Sequence, residues 1–287
     1  VSKRSASELA AAPRRGGFVA AGGVRLHYLD WGSHERPPLL LLHGGSAHAR
    51  WWDFVIPHLL DAYRCVAFDL RGHGESEWPG TRDYSLAAHA GDVAAVVSAL
   101  DLRDAAIVGH SFGGFVALVY AGAAGAHPAA LVIVDSRARI GDRAARLMQA
   151  LRKLPHPRYA TLDEAVQRFR LLPTGTAAPA AVLAHVARHA MRQTADGAYT
   201  LKFDRRALSG APAQDLTPAL RSVRCPILAV RGSESQIVSR AALAEFSAAN
   251  PRVRTAEIAG AHHHVMLDQP AELARTMREF LDTRDGA

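Results

Sequence analysis

Short apolar runs recur along the chain, each bounded by turn residues and separated from the next by a longer stretch with helical spacing. The runs predict strands at 18–21, Val24–Trp31, 38–43, 64–69, 105–109, 130–135, 226–231 and Val253–Ile258. Unbroken stretches such as Leu39-Leu40-Leu41-Leu42 and Leu131-Val132-Ile133-Val134 lack the alternation of a half-exposed strand. They suit strands buried on both faces, as in a parallel sheet covered by helices. The intervening stretches 51–60, 85–100, 112–124, Arg240–Ala249 and Pro270–Asp282 read as helices. Pro270 falls in a first helical turn, where its missing N–H is harmless. Strand–helix alternation of this kind predicts an α/β fold with right-handed crossovers. Residues 1–16 read as a loose arm.

The alternation stops after Asp135. Between 137 and 222 the pattern changes to helix-like stretches (142–153, 161–172, 178–193) and proline-bearing loops, with no strong buried strand. The sheet pattern resumes at Pro226. The chain therefore reads as a core made of 1–136 and 223–287, with a helical lid or cap, 137–222, inserted between two core strands.

Composition narrows the setting. At 287 residues and 49% hydrophobic, the chain supports one large core. No apolar run approaches the roughly 18 residues of a membrane span, and the polar start lacks the apolar stretch of a secretory signal. A cytoplasmic protein with no membrane partner is the expectation. The net charge of +7 is uneven: 137–222 carries 15 Lys/Arg against 6 Asp/Glu, and the remainder 19 against 21. No nucleic-acid module or aromatic-interleaved basic stripe accompanies that excess, so nucleic acid is not an expected partner. The basic residues of the lid, among them Arg137, Arg152, Arg168, Arg170, Arg188 and Arg192, leave two readings open: a solvated face, or attraction for an anionic substrate or carrier. Cys65 and Cys225 begin apolar runs and read as buried free thiols; no disulfide or zinc spacing appears.

The chemistry concentrates in Gly109-His110-Ser111-Phe112-Gly113, a G-x-S-x-G with an apolar strand before it and an apolar helix after it. That context is what a nucleophile elbow needs: a sharp strand-to-helix turn that exposes the serine hydroxyl. Gly109 and Gly113 fit a place where strand and helix cross too closely for a Cβ. The plainer alternative is a glycine-rich turn.

With these residues the chain resembles the α/β-hydrolase superfamily, its serine esterase-like branch. His43-Gly44-Gly45-Ser46 is similar to the family's H-G-x oxyanion loop. Asp69-Leu70-Arg71-Gly72-His73-Gly74-Glu75-Ser76 is similar to its D-x-R-G-x-G-x-S loop. Gly260-Ala261-His262-His263-His264 with Asp268-Gln269-Pro270 resembles its histidine loop. The resemblance implies a mostly parallel eight-stranded sheet with helices on both faces, Ser111 as nucleophile and the backbone N–H groups of Gly45 and Phe112 as the oxyanion hole. The family's spacing indicates His263 as the base, not its neighbours. A metal at the three histidines is the lesser alternative, since no carboxylate or thiolate lies at ligand spacing. His185 and His189 lack a zinc-site glutamate and read as packing or solvated residues.

The acid departs from the commonest family pattern. That pattern, G-x-x-D after the strand following the lid, falls here on Gly232-Ser233-Glu234-Ser235. Serine cannot supply a negative charge. Asp135, ending the strand before the lid, stands where some branches carry the acid; its plainer role is to cap the turn. Glu234 is the alternative acid, one residue out of place. Together these residues imply a carboxylic ester hydrolase acting on a small-molecule ester with a Ser-His-Asp triad and no cofactor. A thioesterase for an anionic or carrier-bound acyl group, and a non-catalytic ligand receptor, remain open beside it. Oligomeric state is not legible.

Overall fold

The computed structural model describes residues 15–209 and 212–283. The loose arm read at 1–16 falls outside them as far as residue 14; Arg15 and Gly16 open the first strand. Eight strands form one sheet: β1 (Arg15–Ala21), β2 (Val24–Trp31), β3 (Pro38–Leu42), β4 (Arg64–Phe68), β5 (Ala106–His110), β6 (Ala130–Val134), then β11 (Ile227–Gly232) and β12 (Val253–Ile258). Their spatial order is β1-β2-β4-β3-β5-β6-β11-β12. β2 pairs antiparallel with β1 and β4, and all other pairs are parallel.

Period-two alternation divides the central strands between two apolar layers. Leu40, Leu42, Val66, Phe68, Leu131 and Ile133 face one layer with the helices α1 (Leu86–Ala99) and α2 (Phe112–Gly122). Leu39, Leu41, Cys65, Ala67, Val132 and Val134 face the other, under Trp51, Trp52 and the C-terminal helix Pro270–Asp282. Burial on both faces accounts for the unbroken apolar runs. Among the described residues no helix is long and apolar enough to cross a membrane.

Between β6 and β11 the chain leaves the sheet. It forms β7 (Arg139–Ile140), the helices α3 (Asp142–Arg152), α4 (Leu162–Arg168) and α5 (Ala180–His189), then β8 (Met191–Gln193), β9 (Tyr199–Leu201), β10 (Gln214–Asp215) and α6 (Thr217–Ser222). The core closes with α7 (Arg240–Ala249), the short α8 (Val265–Asp268) and α9 (Pro270–Asp282). Val182 and Val186 of α5 are buried in the same layer as Trp51 and Trp52, so this segment is packed onto the core.

Four expectations differ from the structure. The stretch 51–60 is two 3₁₀ turns, Ala49–Trp52 and Ile56–His58, because a continuous helix would place Pro57 in its interior without an N–H. The helix read at 178–193 ends at His189, and Met191–Gln193 pairs with Tyr199–Leu201 as a hairpin. The Asp196-Gly197 pair, with Gly197 at φ 86°, is the turn that makes it. The stretch 161–172 is helical only over Leu162–Arg168. Cys65 is buried, but Cys225 is only partly so.

Candidate active site

Ser111 stands at the junction of β5 and α2 with φ 50° and ψ −115°. A positive φ is costly for a residue with a Cβ, and such strain persists where surrounding structure enforces it. Here the enforcement is close crossing. A Cβ on Gly109 would come within 2.4 Å of the Gly113 carbonyl oxygen, and one on Gly113 within 2.5 Å of the His43 carbonyl oxygen. The Ser111 N–H donates to the Val134 carbonyl at 3.0 Å, tying the elbow to β6.

Three expected residues meet in one hydrogen-bonded line. Ser111 Oγ lies 3.0 Å from His263 Nε2, and His263 Nδ1 lies 2.7 Å from Asp135 Oδ1. A carboxylate can only accept, so His263 carries its proton on Nδ1 and offers the Nε2 lone pair to the serine. Asp135 has no solvent exposure and φ 45°. Burying a carboxylate is costly unless hydrogen bonds replace its water. Besides His263, it accepts from the Gly232 N–H at 2.9 Å and the Ser235 hydroxyl at 2.7 Å. Glu234 is not part of this line. Its side chain is exposed and accepts from the neighbouring Ser233 hydroxyl at 2.9 Å.

His263 is placed by contacts on both sides. A Cβ on Gly232 would meet the Ala261 carbonyl oxygen at 2.2 Å, so only glycine lets the end of β11 approach this loop. His110 Nε2 donates to the His263 carbonyl at 2.9 Å. Asp268 accepts from the His262 N–H at 2.7 Å, and from the Thr176 hydroxyl and Ala177 N–H at 2.5 and 2.9 Å. It thereby joins the histidine loop to the inserted segment. Sequence reasoning missed these supports. His110 and Asp268 lay inside quoted motifs, but nothing in a linear pattern shows what their side chains reach.

The loop after β3 lies beside the serine. A Cβ on Gly44 would fall 3.3 Å from Ser111 Cβ, and one on Gly45 would fall 3.9 Å from Phe112 Cβ. Gly45 is exposed, and Phe112 is the first residue of α2, where a backbone N–H has no intrahelical acceptor. His43 Nδ1 donates to the Gly44 carbonyl at 2.7 Å, and His43 Nε2 accepts from the Leu70 N–H at 3.0 Å. The first loop motif is thus pinned to the second. In that second loop a Cβ on Gly74 would strike the Asp69 carboxyl at 2.2 Å. Asp69 accepts from the Ala49 N–H at 2.7 Å, and Arg71 makes two 2.6 Å bonds to Asp92.

Burial sets the charges around the loops. It lowers His43 to about 3, helped by His73, and lowers His73 itself to about 4. Burial opposes the charge of Asp69, but its bond from His27 and the nearby histidines hold its carboxyl below the usual range. His264 is pushed down to about 3 by burial and by His263. His110, His263 and His264 offer nitrogens within 4.8 Å of one another. Both nitrogens of His263 are engaged with Asp135 and Ser111, so a metal there would compete with the line just described. Outside the site, His185 Nε2 bonds Asp53 at 2.8 Å and His189 Nδ1 bonds the His185 carbonyl at 2.9 Å.

Next to Gly45 and Ser46 lies a cavity of about 250 Å³ whose other walls come largely from the inserted segment. Among the apolar residues of the inserted segment, Phe169, Leu171 and Leu172 line it, whereas Val182 is buried in the core and Leu147 is exposed.

Comparison with known proteins agrees with the fold. A family model described as alpha/beta hydrolase fold matches residues 37–270. The chain is 27% identical over 281 residues to the 2-(acetamidomethylene)succinate hydrolase of Mesorhizobium japonicum, covering 92% of this chain and 94% of that protein. It is 30% identical over 270 residues to an esterase of Mycobacterium tuberculosis, covering 93% and 89%. A crystal structure of E-2-(acetamidomethylene)succinate hydrolase superposes with a TM-score of 0.83 at 25% identity, covering 94% of this chain and all of that one.

Proposed function

The chain belongs to the alpha/beta hydrolase family, and from that premise we propose that it is a serine hydrolase cleaving carboxylic esters through an acyl-enzyme. The observation that carries the reading is the line from Ser111 Oγ through His263 to buried Asp135 at a strained strand-to-helix turn. In the first half-reaction Ser111 Oγ attacks the ester carbonyl while His263 Nε2 takes its proton. His263 then delivers that proton to the alcohol oxygen as the C–O bond breaks. Water, activated by the same nitrogen, releases the acid in the second half. Asp135 holds the imidazole tautomer and stabilises the imidazolium.

The N–H groups of Gly45 and Phe112 are the proposed donors to the oxyanion. One such donor is worth roughly 2.7–4 kcal/mol of barrier. We assign 137–222 as the lid that walls the substrate cavity over the core of 1–136 and 223–287. Each step uses side chains, backbone N–H groups and water alone. The hydrolase and esterase names of the two full-length relatives support the reaction class.

The test is hydrolysis of 4-nitrophenyl butyrate together with fluorophosphonate labelling, for wild type and Ser111→Ala. The expected result is labelling of Ser111 and a loss of at least about a thousandfold in kcat in the variant. Ligand retention with neither labelling nor turnover would replace the enzyme reading with a receptor.

A further inference from the structure

The cavity beside Gly45 and Ser46 is also lined by Trp51, Phe169, Phe203 and Arg205. Arg205 differs from the other arginines there. Arg168 bonds Glu164 at 3.1 Å and lies over the Tyr159 ring. Arg170 is exposed and donates to the Gln167 and Phe169 carbonyls, both at 2.7 Å. Arg205 is partly buried and pairs with no carboxylate among the described residues. Its Nη1 donates to the Leu151 carbonyl at 3.1 Å, and its Nε is buried with no acceptor among the described residues. The adjacent carboxylate, Asp204, is already engaged by Arg206 Nε at 2.8 and 2.9 Å and by the Tyr84 hydroxyl at 2.5 Å.

A guanidinium cannot shed its proton to escape burial. An uncompensated one is a standing cost that an anionic ligand would remove. Burial indeed lowers the Arg205 pKa, partly offset by Tyr159. Trp51 lines the same cavity, and its indole N–H is likewise buried without an acceptor among the described residues. The cavity thus combines apolar walls, two lining side chains that each carry a donor without an acceptor among the described residues, and the loop proposed to receive the scissile carbonyl. We propose that it accepts an acyl chain ending in a carboxylate, that Arg205 binds that carboxylate, and that the substrates are half-esters of short dicarboxylic acids. This assignment rests on the serine hydrolase reading and names its substrate class.

The experiment compares kcat/KM for mono-4-nitrophenyl adipate with that for the same compound methylated at its free carboxylate, in wild type, Arg205→Gln and Arg205→Lys. The wild type is expected to prefer the free acid by about tenfold or more, because a charge-assisted bond in a partly desolvated pocket is worth well over 1 kcal/mol. The preference should shrink as salt is raised. In Arg205→Gln the ratio should fall to about 1, chiefly through KM, and Arg205→Lys should keep part of it. Adipate should also protect Ser111 from fluorophosphonate in the wild type and not in Arg205→Gln.

A wild-type ratio at or below 1, or a ratio unchanged in Arg205→Gln, overturns the proposal. Should Arg205→Gln fail to fold, the salt-dependent wild-type ratio and Arg205→Lys decide the matter. If neither ester turns over and Ser111 resists labelling, the hydrolase reading fails separately. Calorimetric titration of the same proteins with adipate then decides whether the cavity binds the dianion through Arg205.

Discussion

β6 and β11 run side by side, and both end next to His263, but one end carries charge and the other only donors. At the end of β6, Asp135 has its carboxylate fully buried and its N–H bonded to the Val230 carbonyl at 2.7 Å. At the end of β11 there is no carboxylate facing the imidazole. Gly232 contributes its N–H to Asp135 Oδ2, and Ser235 contributes its hydroxyl proton to Oδ1. The Ser235 oxygen in turn accepts from the Ile237 and Val238 N–H groups, each at 3.2 Å. Those two bonds occupy its acceptor side and leave the proton aimed at Asp135. The negative charge and the scaffold that holds it are therefore separable. On that reading a carboxylate at the end of β11 should reach the imidazole, provided the end of β6 supplies a donor.

The sharpest way to break this comparison is Asp135→Asn. An amide keeps the shape but cannot hold the imidazole tautomer or stabilise its positive form. By analogy with other triads, kcat should fall by about 10³–10⁴, as measured on 4-nitrophenyl butyrate. Near-normal turnover would remove Asp135 from the mechanism. The next experiment exchanges the two ends. Asp135→Ser alone should be as poor as Asp135→Asn, and adding Ser235→Asp should recover at least about tenfold of the loss, a coupling expected only for residues sharing one partner. Absence of any recovery would mean that the charge works only from β6.

Much of this was legible in the chain because it depends on local pattern. The buried parallel strands declared themselves through unbroken apolar runs, and the elbow through glycines that close crossing demands. The gap at Ser235 was also visible, since the charge needed beside the imidazole was absent from the expected place. Asp135 was the candidate acid already in the sequence, but what Ser235 does there was not visible. That Ser235 bonds Asp135, 100 residues away, depends on how two strand ends meet and not on any spacing. The inserted segment was less legible for a similar reason. Its strands are two or three residues long, too short to show a period, and the hairpin at Asp196-Gly197 depended on turn chemistry just after a stretch that read as helix. Arg205 went unnoticed because its distinguishing property is the lack of a carboxylate partner among the described residues. That property exists only once Asp204 is seen to be engaged elsewhere.

A milder test of the comparison is Ser235→Ala, which removes one donor from Asp135 while leaving its charge and its bond to His263. A hydrogen bond to a charged group is worth about 1.5–3 kcal/mol, so kcat should drop on the order of tenfold. A loss as large as that of Asp135→Asn would show that the scaffold and the charge are not separable after all.

The smallest effect belongs to Glu234→Gln. Glu234 is one residue from Ser235, but its N–H is held by the Ala261 carbonyl at 2.9 Å and its carboxylate turns to the Ser233 hydroxyl in solvent. An exposed charge is screened by water and salt, so its influence on the imidazole is slight. The variant should keep kcat and kcat/KM within about twofold of wild type, since a fully solvated pair contributes little. A loss of tenfold or more in the folded variant would place the working carboxylate at the end of β11. Asp135 would then be reduced to a buried turn residue, and the contrast between the two strand ends would reverse.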